Sequence, residues 1–148
     1  MYINFLFAVK YRRAAIEEEW ESRLQEYITG VVKNNGHKLL AINNMPDHLH
    51  LFVRMNHRQS VDDLTVRIKE NSSEFINSEG FTKRKFHWQD GYGAFSNSQS
   101  QIDEVVQNIL NQKKHHAKKT FREEYIEILK DYAVQYDEKD IFHDLLED

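Results

Sequence analysis

The chain has no cysteine, one proline and five glycines in 148 residues. Without a thiol there is no disulfide framework, zinc–thiolate site or cysteine nucleophile, and the composition is compatible with a reducing compartment. No run of 18 apolar residues and no signal-peptide pattern is present, so the expectation is a soluble, cytoplasmic protein without a membrane partner. Internal repeats and low-complexity segments are also missing. What is there, 40% hydrophobic and 12% aromatic residues, suits one globular domain over 1–148 with a full core.

The net charge of −4 conceals an asymmetry. From Glu123 to Asp148 ten carboxylates face only Lys130 and Lys139, whereas residues 1–122 carry 18 basic and 14 acidic groups. A basic body with an acidic tail, set here at about 132–148, is compatible with holding a polyanion on one surface. Two unrelated solvated faces would give the same totals.

In chain order, Tyr2–Val9 is almost continuously apolar, as in a strand buried on both faces, and it ends in the basic turn Lys10-Tyr11-Arg12-Arg13. Residues 17–34 carry acids in the first turn and apolar residues at spacings of three and four, which predicts a helix. A strand over 37–43 and a turn through Pro46 lead into His48-Leu-His-Leu-Phe-Val53. Ser60, Asp62 and Asp63 open a helix to about Asn77, closed by Gly80. Two aromatic runs, 86–89 and 92–96, predict a fourth strand with a bent continuation. A helix capped by Ser98 or Ser100 should end near His116, and a last one should span about 120–130. The order β-α-β-β-α-β predicts an α+β fold, the ferredoxin-like split βαβ arrangement with an antiparallel sheet and added C-terminal helices.

His48 and His50 are one residue apart in a strand, so both point to one face while Leu49, Leu51 and Val53 point to the other. That is the outline of a two-imidazole metal clamp, although two partly buried structural histidines would share the pattern. The predicted helix over 104–112 adds Gln112, whose amide oxygen is a possible third ligand, with Asn108 four residues earlier on the same face. Two imidazoles and one amide oxygen leave open positions for a hydrated divalent ion, Mg²⁺ or Mn²⁺, bridging to a phosphate; the imidazoles would equally suit zinc. Lys113, Lys114, Lys118 and Lys119 follow at once in the densest positive run of the chain. With Lys10, Arg12 and Arg13, and with Lys83, Arg84 and Lys85 as an extension, they are candidate phosphate contacts. His87, Trp88 and Tyr92 offer surfaces on which exposed bases could stack, with core packing as the plainer reading.

Four segments together resemble a known family: Phe7-Ala-Val-Lys-Tyr-Arg12, Met45-Pro-Asp-His-Leu-His-Leu51, Trp88-Gln-Asp-Gly-Tyr-Gly-Ala-Phe-Ser96, and Asn111-Gln112 with His115-His116 and Thr120-Phe121. The sequence is similar to the small single-tyrosine transposases of the HUH nuclease superfamily, including those associated with repetitive extragenic palindromes. The resemblance implies binding of single-stranded or hairpin DNA, commonly as a homodimer whose active sites are completed between subunits. His48, His50 and Gln112 would hold the divalent metal, which polarises the scissile phosphate. The nucleophile would be a tyrosine four residues before the glutamine, forming a 5′-phosphotyrosine. Here that residue is Asn108, a carboxamide with no ionisable hydroxyl.

The expectation is therefore a transposase-family protein that keeps metal and DNA binding and is impaired in strand cleavage and rejoining. An active nuclease using water or another tyrosine, with Tyr92 and Tyr125 nearest in sequence, is the alternative. A non-enzymatic dimeric interaction module is a third reading.

Overall fold

The computed structural model describes residues 1–113 and 121–131. The expected acidic tail and Lys114, Lys118 and Lys119 lie outside the described residues. The elements are β1 (Tyr2–Ala8), α1 (Glu18–Asn34), β2 (Lys38–Met45), β3 (His48–Arg54), α2 (Val61–Glu79), β4 (Gly93–Asn97), α3 (Ile102–Leu110) and α4 (Phe121–Asp131), with 3-10 turns at Lys10–Arg12 and Gln99–Gln101. The four strands form one antiparallel sheet in the order β2-β3-β1-β4. This is the expected α+β arrangement, with the histidine strand in the interior.

Period-two alternation in β1 and β3 separates two apolar layers. Ile3, Phe5, Phe7, Leu49, Leu51 and Val53 join Leu24, Ile28, Leu64 and Ile68 of α1 and α2 in the main core. On the opposite face, Ala41 and Phe52 pack with Val105 and Ile109 of α3, and Leu6 and Ala8 pack with Tyr125 and Ile128 of α4. The histidines belong to this second face, because His50 pairs with Leu6 and His48 with Ala8.

Helix ends follow local chemistry. The Ser60 hydroxyl accepts the Asp63 N–H at 3.0 Å, and Gly80 takes the left-handed conformation that closes α2. Two boundaries differ from expectation. The run 86–89 is not a strand: Trp88 makes one isolated bridge to Val9, and Gly91, at φ +80°, turns the chain before β4. The Lys69 ammonium holds that turn by donating to the carbonyls of Gln89 and Gly91, at 2.8 and 2.5 Å. The helix expected to reach His116 stops at Leu110, since the Asn43 amide, from β2, takes up the carbonyls of Ile109 and Leu110 at 3.1 and 3.3 Å.

A bulge in β2 makes that cap possible. The pairing register shifts between Leu39 and Ala41, so the side chains beyond it are inverted, with Asn43 opposite His50 on the histidine face and Asn44 on the α1 face. Leu51, fully buried in the main core, tests the packing. Leu51→Ala is expected to lower unfolding free energy by about 2–5 kcal/mol, measured by urea denaturation; a loss within about 0.5 kcal/mol would contradict this core assignment.

Candidate metal and DNA site

Both histidine side chains are buried, with His48 0% and His50 5% exposed. Each is held at one ring nitrogen by an oxygen. Asp47 Oδ1 lies 2.6 Å from His48 Nδ1, and because a carboxylate only accepts, Nδ1 carries the proton and Nε2 the lone pair. Asn4 Oδ1 lies 2.5 Å from His50 Nε2, which places the lone pair on Nδ1. Oxygen partners on the far nitrogen are the usual means of orienting metal-binding imidazoles.

Gln112 completes the group. After Asn111 breaks α3, Gln112 and Lys113 re-enter a helical turn, and the Gln112 side chain is fully buried with its Nε2 2.8 Å from His48 Nε2. Its Oε1 is buried with no hydrogen-bond partner among the described residues. An orphaned buried oxygen costs about 1–3 kcal/mol. Half a turn of the amide would present Oε1 where the N–H now sits, beside the His48 Nε2 lone pair, as a second donor to a cation there. The donor set of two imidazoles and an amide oxygen therefore fits a divalent ion. Among the described residues no cluster of three histidines or carboxylates could hold a metal.

Several supporting residues escaped the sequence reading. Asn4 was legible in principle as the one polar residue within an apolar strand. Asn43, which ends α3 so that Gln112 turns inward, depends on the bulge and on pairing across 66 residues. Glu21 of α1 takes the Asn44 amide at 3.1 Å through one carboxylate oxygen and the Lys113 ammonium through the other, fixing the turn that carries Gln112.

The structure does not bring Asn108 to this group. It is exposed on α3, whereas Gln112 is buried, because the break at Asn111 separates two positions that a continuous helix would have aligned. The alternative tyrosines are not poised either. Tyr92 packs on Phe7 and donates to Asp62 at 3.1 Å, which puts it on the α1/α2 face of the sheet. Tyr125 is on the histidine face but over Gly93, whose backbone lies two strands, or about 10 Å, from His50. Burial raises both phenol pKa values, so both hydroxyls keep their protons at neutral pH.

Of the candidate phosphate contacts, Lys10 and Arg13 line a cleft of about 730 Å³ between the 3-10 turn at 10–12 and the loop 81–87, and Arg12 lies in the same turn. Lys113 is engaged by Glu21. Among the described residues, no helix is long and apolar enough to cross a membrane.

Tyr125 gives this face a test. A Cβ at Gly93 would come within 2.9 Å of the Tyr125 hydroxyl, 3.1 Å of the Phe95 ring and 3.3 Å of Leu6 Cβ. Gly93→Ala is expected to cost about 1–3 kcal/mol, and adding Tyr125→Phe to recover part of it, in a thermal-unfolding double-mutant cycle. Strict additivity would contradict the contact. Since the phenol pKa is raised by burial, its contribution to stability is present below the unfolded value of about 10 and lost as pH rises through the folded value; Tyr125→Phe should flatten that alkaline loss.

Comparison with known proteins supplies a frame. The family model described as "Transposase IS200 like" matches residues 1–112, ending on Gln112. The ISDra2 transposase TnpA of Deinococcus radiodurans is 26% identical over 70 residues, which are 47% of this chain and 50% of that protein. The match thus spans half the length of the curated relative. A solved structure of a Deinococcus radiodurans R1 protein described as a transposase superposes with a TM-score of 0.62 at 22% identity, over 76% of this chain and 90% of that one. The REP-associated tyrosine transposase bound to a REP hairpin gives 0.60 at 16% identity, over 78% and 67%. At these identities the two structures bear on the fold.

Proposed function

The chain belongs to the IS200-like transposase family, and on that premise we propose that it binds single-stranded hairpin DNA at a divalent-metal site built from His48, His50 and Gln112. The ion, Mg²⁺ or Mn²⁺, would polarise a phosphodiester of the bound strand. His48 and His50 hold their lone pairs available through Asp47 and Asn4, and Gln112 offers the oxygen that lacks a partner among the described residues. That buried histidine–glutamine contact is the observation that carries the reading, because it sets an amide beside the lone pair of His48 Nε2 on the face that also carries His50. Lys10, Arg12, Arg13, Lys113, Lys114, Lys118 and Lys119 are the proposed phosphate contacts, and the working unit is a homodimer in the cytoplasm. A hairpin is the ligand named for one structural neighbour, the REP-associated transposase.

Cleavage and rejoining are impaired in this reading. At the position where the family carries its nucleophile stands Asn108, whose carboxamide has no ionisable hydroxyl to supply an attacking oxyanion and whose nitrogen is not basic. The protein then binds DNA for transposition without forming a stable phosphotyrosine bond.

Hairpin oligonucleotides with unpaired flanks, titrated with and without Mn²⁺, test this. Metal-dependent binding is expected, with no covalent adduct on a denaturing gel, and Asn108→Tyr, exposed on α3 and so free to reach the histidines of a second subunit in the proposed homodimer, should gain cleavage. Gln112→Ala should weaken Mn²⁺ binding at least 10-fold. An adduct formed by the wild-type chain would contradict the impairment. No binding of any divalent ion or oligonucleotide would leave a fold whose histidines are structural.

A further inference from the structure

Building on the metal and DNA reading above, and dependent on it, we infer that Glu21 is a positioning residue for Gln112 and a competitor of DNA for Lys113. In the free chain its carboxylate clasps the segment that carries Gln112 against His48, and a phosphate of a bound strand draws on the same ammonium.

The clasp crosses an edge of the sheet. β2 is an edge strand, with α1 packed in the core on one face and Gln112 lying against His48 on the other. Glu21 of α1 and Lys113, which follows Gln112 directly, are 92 residues apart in sequence and meet around that edge. The bulge of β2 turns two successive asparagines to the two sides of it. From the histidine face Asn43 holds the carbonyls of Ile109 and Leu110 at 3.1 and 3.3 Å. From the other, Asn44, fully buried, holds Glu21 at 3.1 Å. Residues 109–113 are gripped from both sides, and Gln112 lies between the two grips.

Glu21 is not a loose surface carboxylate. Gln25, one turn further along α1, donates its Nε2 to Asn44 Oδ1 at 2.7 Å, which leaves Asn44 Nδ2 to face Glu21. One carboxylate oxygen is therefore fixed from inside the fold while the other meets Lys113. The Arg23–Glu79 pair between α1 and α2 is the contrast: its side chains are 51% and 39% exposed, against 20% for Glu21. Holding the carboxylate beforehand removes part of the side-chain entropy that makes surface ion pairs weak.

Lys113 keeps 42% of its side chain exposed, so a second anion can reach it. A phosphate and the Glu21 carboxylate would then share one positive charge and repel each other. Glu21 thus orders the metal ligand at the expense of phosphate affinity. Contacts at the histidines alone would make no such trade.

The test compares Glu21→Gln and Lys113→Met in the full chain; Glu21→Gln keeps an oxygen for Asn44 and removes the charge. Each is expected to weaken Mn²⁺ binding, followed without DNA by electron paramagnetic resonance, roughly 3- to 10-fold, short of the ~10–100-fold loss for a residue bonded to a ligand itself. The double variant should be no weaker than either single one, and Lys113→Arg should recover what Lys113→Met loses. In the metal-free chain, amide hydrogen exchange of residues 109–113 should quicken in both variants, with thermal midpoints moved by no more than about 4 °C. On a hairpin with an unpaired flank, at Mn²⁺ saturating for each protein, the two should part. Glu21→Gln is expected to bind roughly two- to fivefold tighter, with the slope of log affinity against log salt steeper by up to about 0.7, and Lys113→Met to bind more weakly. Equal Mn²⁺ affinities of wild type and Glu21→Gln overturn the clasp, and leave the metal site standing where Gln112→Ala still loses affinity. Unchanged or weaker hairpin binding by Glu21→Gln overturns the competition. If Glu21→Gln unfolds, Lys113→Met and its recovery by Lys113→Arg decide the clasp. No Mn²⁺ binding by the wild type overturns the metal reading and the clasp with it.

Discussion

The register of β1 against β3 is the constraint on which the rest depends. Pairing Ala8 with His48 and Leu6 with His50 puts Phe5, Phe7, Leu49 and Leu51 under α1 and α2, and both imidazoles on the opposite face. A slip by one residue would drive two imidazoles into an apolar core and expose the leucines, a change far costlier than any single contact at the site. The same apolar alternation that stabilises the domain thus aims its histidines. The main core can be packed tightly because the chemistry is kept on the other side of the sheet.

On that other side, polar groups are buried together and each is answered by another. Asp47 and Asn4 orient the imidazoles, Asn43 ends α3, and Glu21 fixes the turn beyond it. Gln112 Oε1, by contrast, is among the buried side-chain atoms without a hydrogen-bond partner in the described residues, and its place beside His48 is what gives the group a chemical direction. Small residues matter in the same layer. Gly93 leaves room for the Tyr125 hydroxyl, and Ala8 keeps the floor low between the histidine strand and α4.

The basic surface divides according to what already neutralises it. Lys113 has Glu21, and Lys69 is turned inward on backbone carbonyls, where burial lowers its pKa against the opposing pull of Asp90 and Asp62. The cleft around Tyr11 has one carboxylate for five cations. Family membership is drawn from 112 matched residues, and the proposed impairment of cleavage rests on the carboxamide that stands at position 108.

Much of this was legible in the sequence. Alternation in Tyr2–Val9 and His48–Val53, acids at the start of α1, Ser60 and Gly80 around α2, and the histidine pair itself are local signals, decided within a few residues by backbone geometry and side-chain period. What only the tertiary structure decided is long-range. The bulge at Leu39–Ala41 inverts the faces of Asn43 and Asn44, and a side chain 66 residues away halts α3, so a helix that local pattern would continue to His116 breaks at Asn111. That break buries Gln112 on His48 and leaves Asn108 in solvent, although the two are only four residues apart. Short-range propensity specifies which residues can form the site; hydrogen bonds between distant segments determine which of them meet.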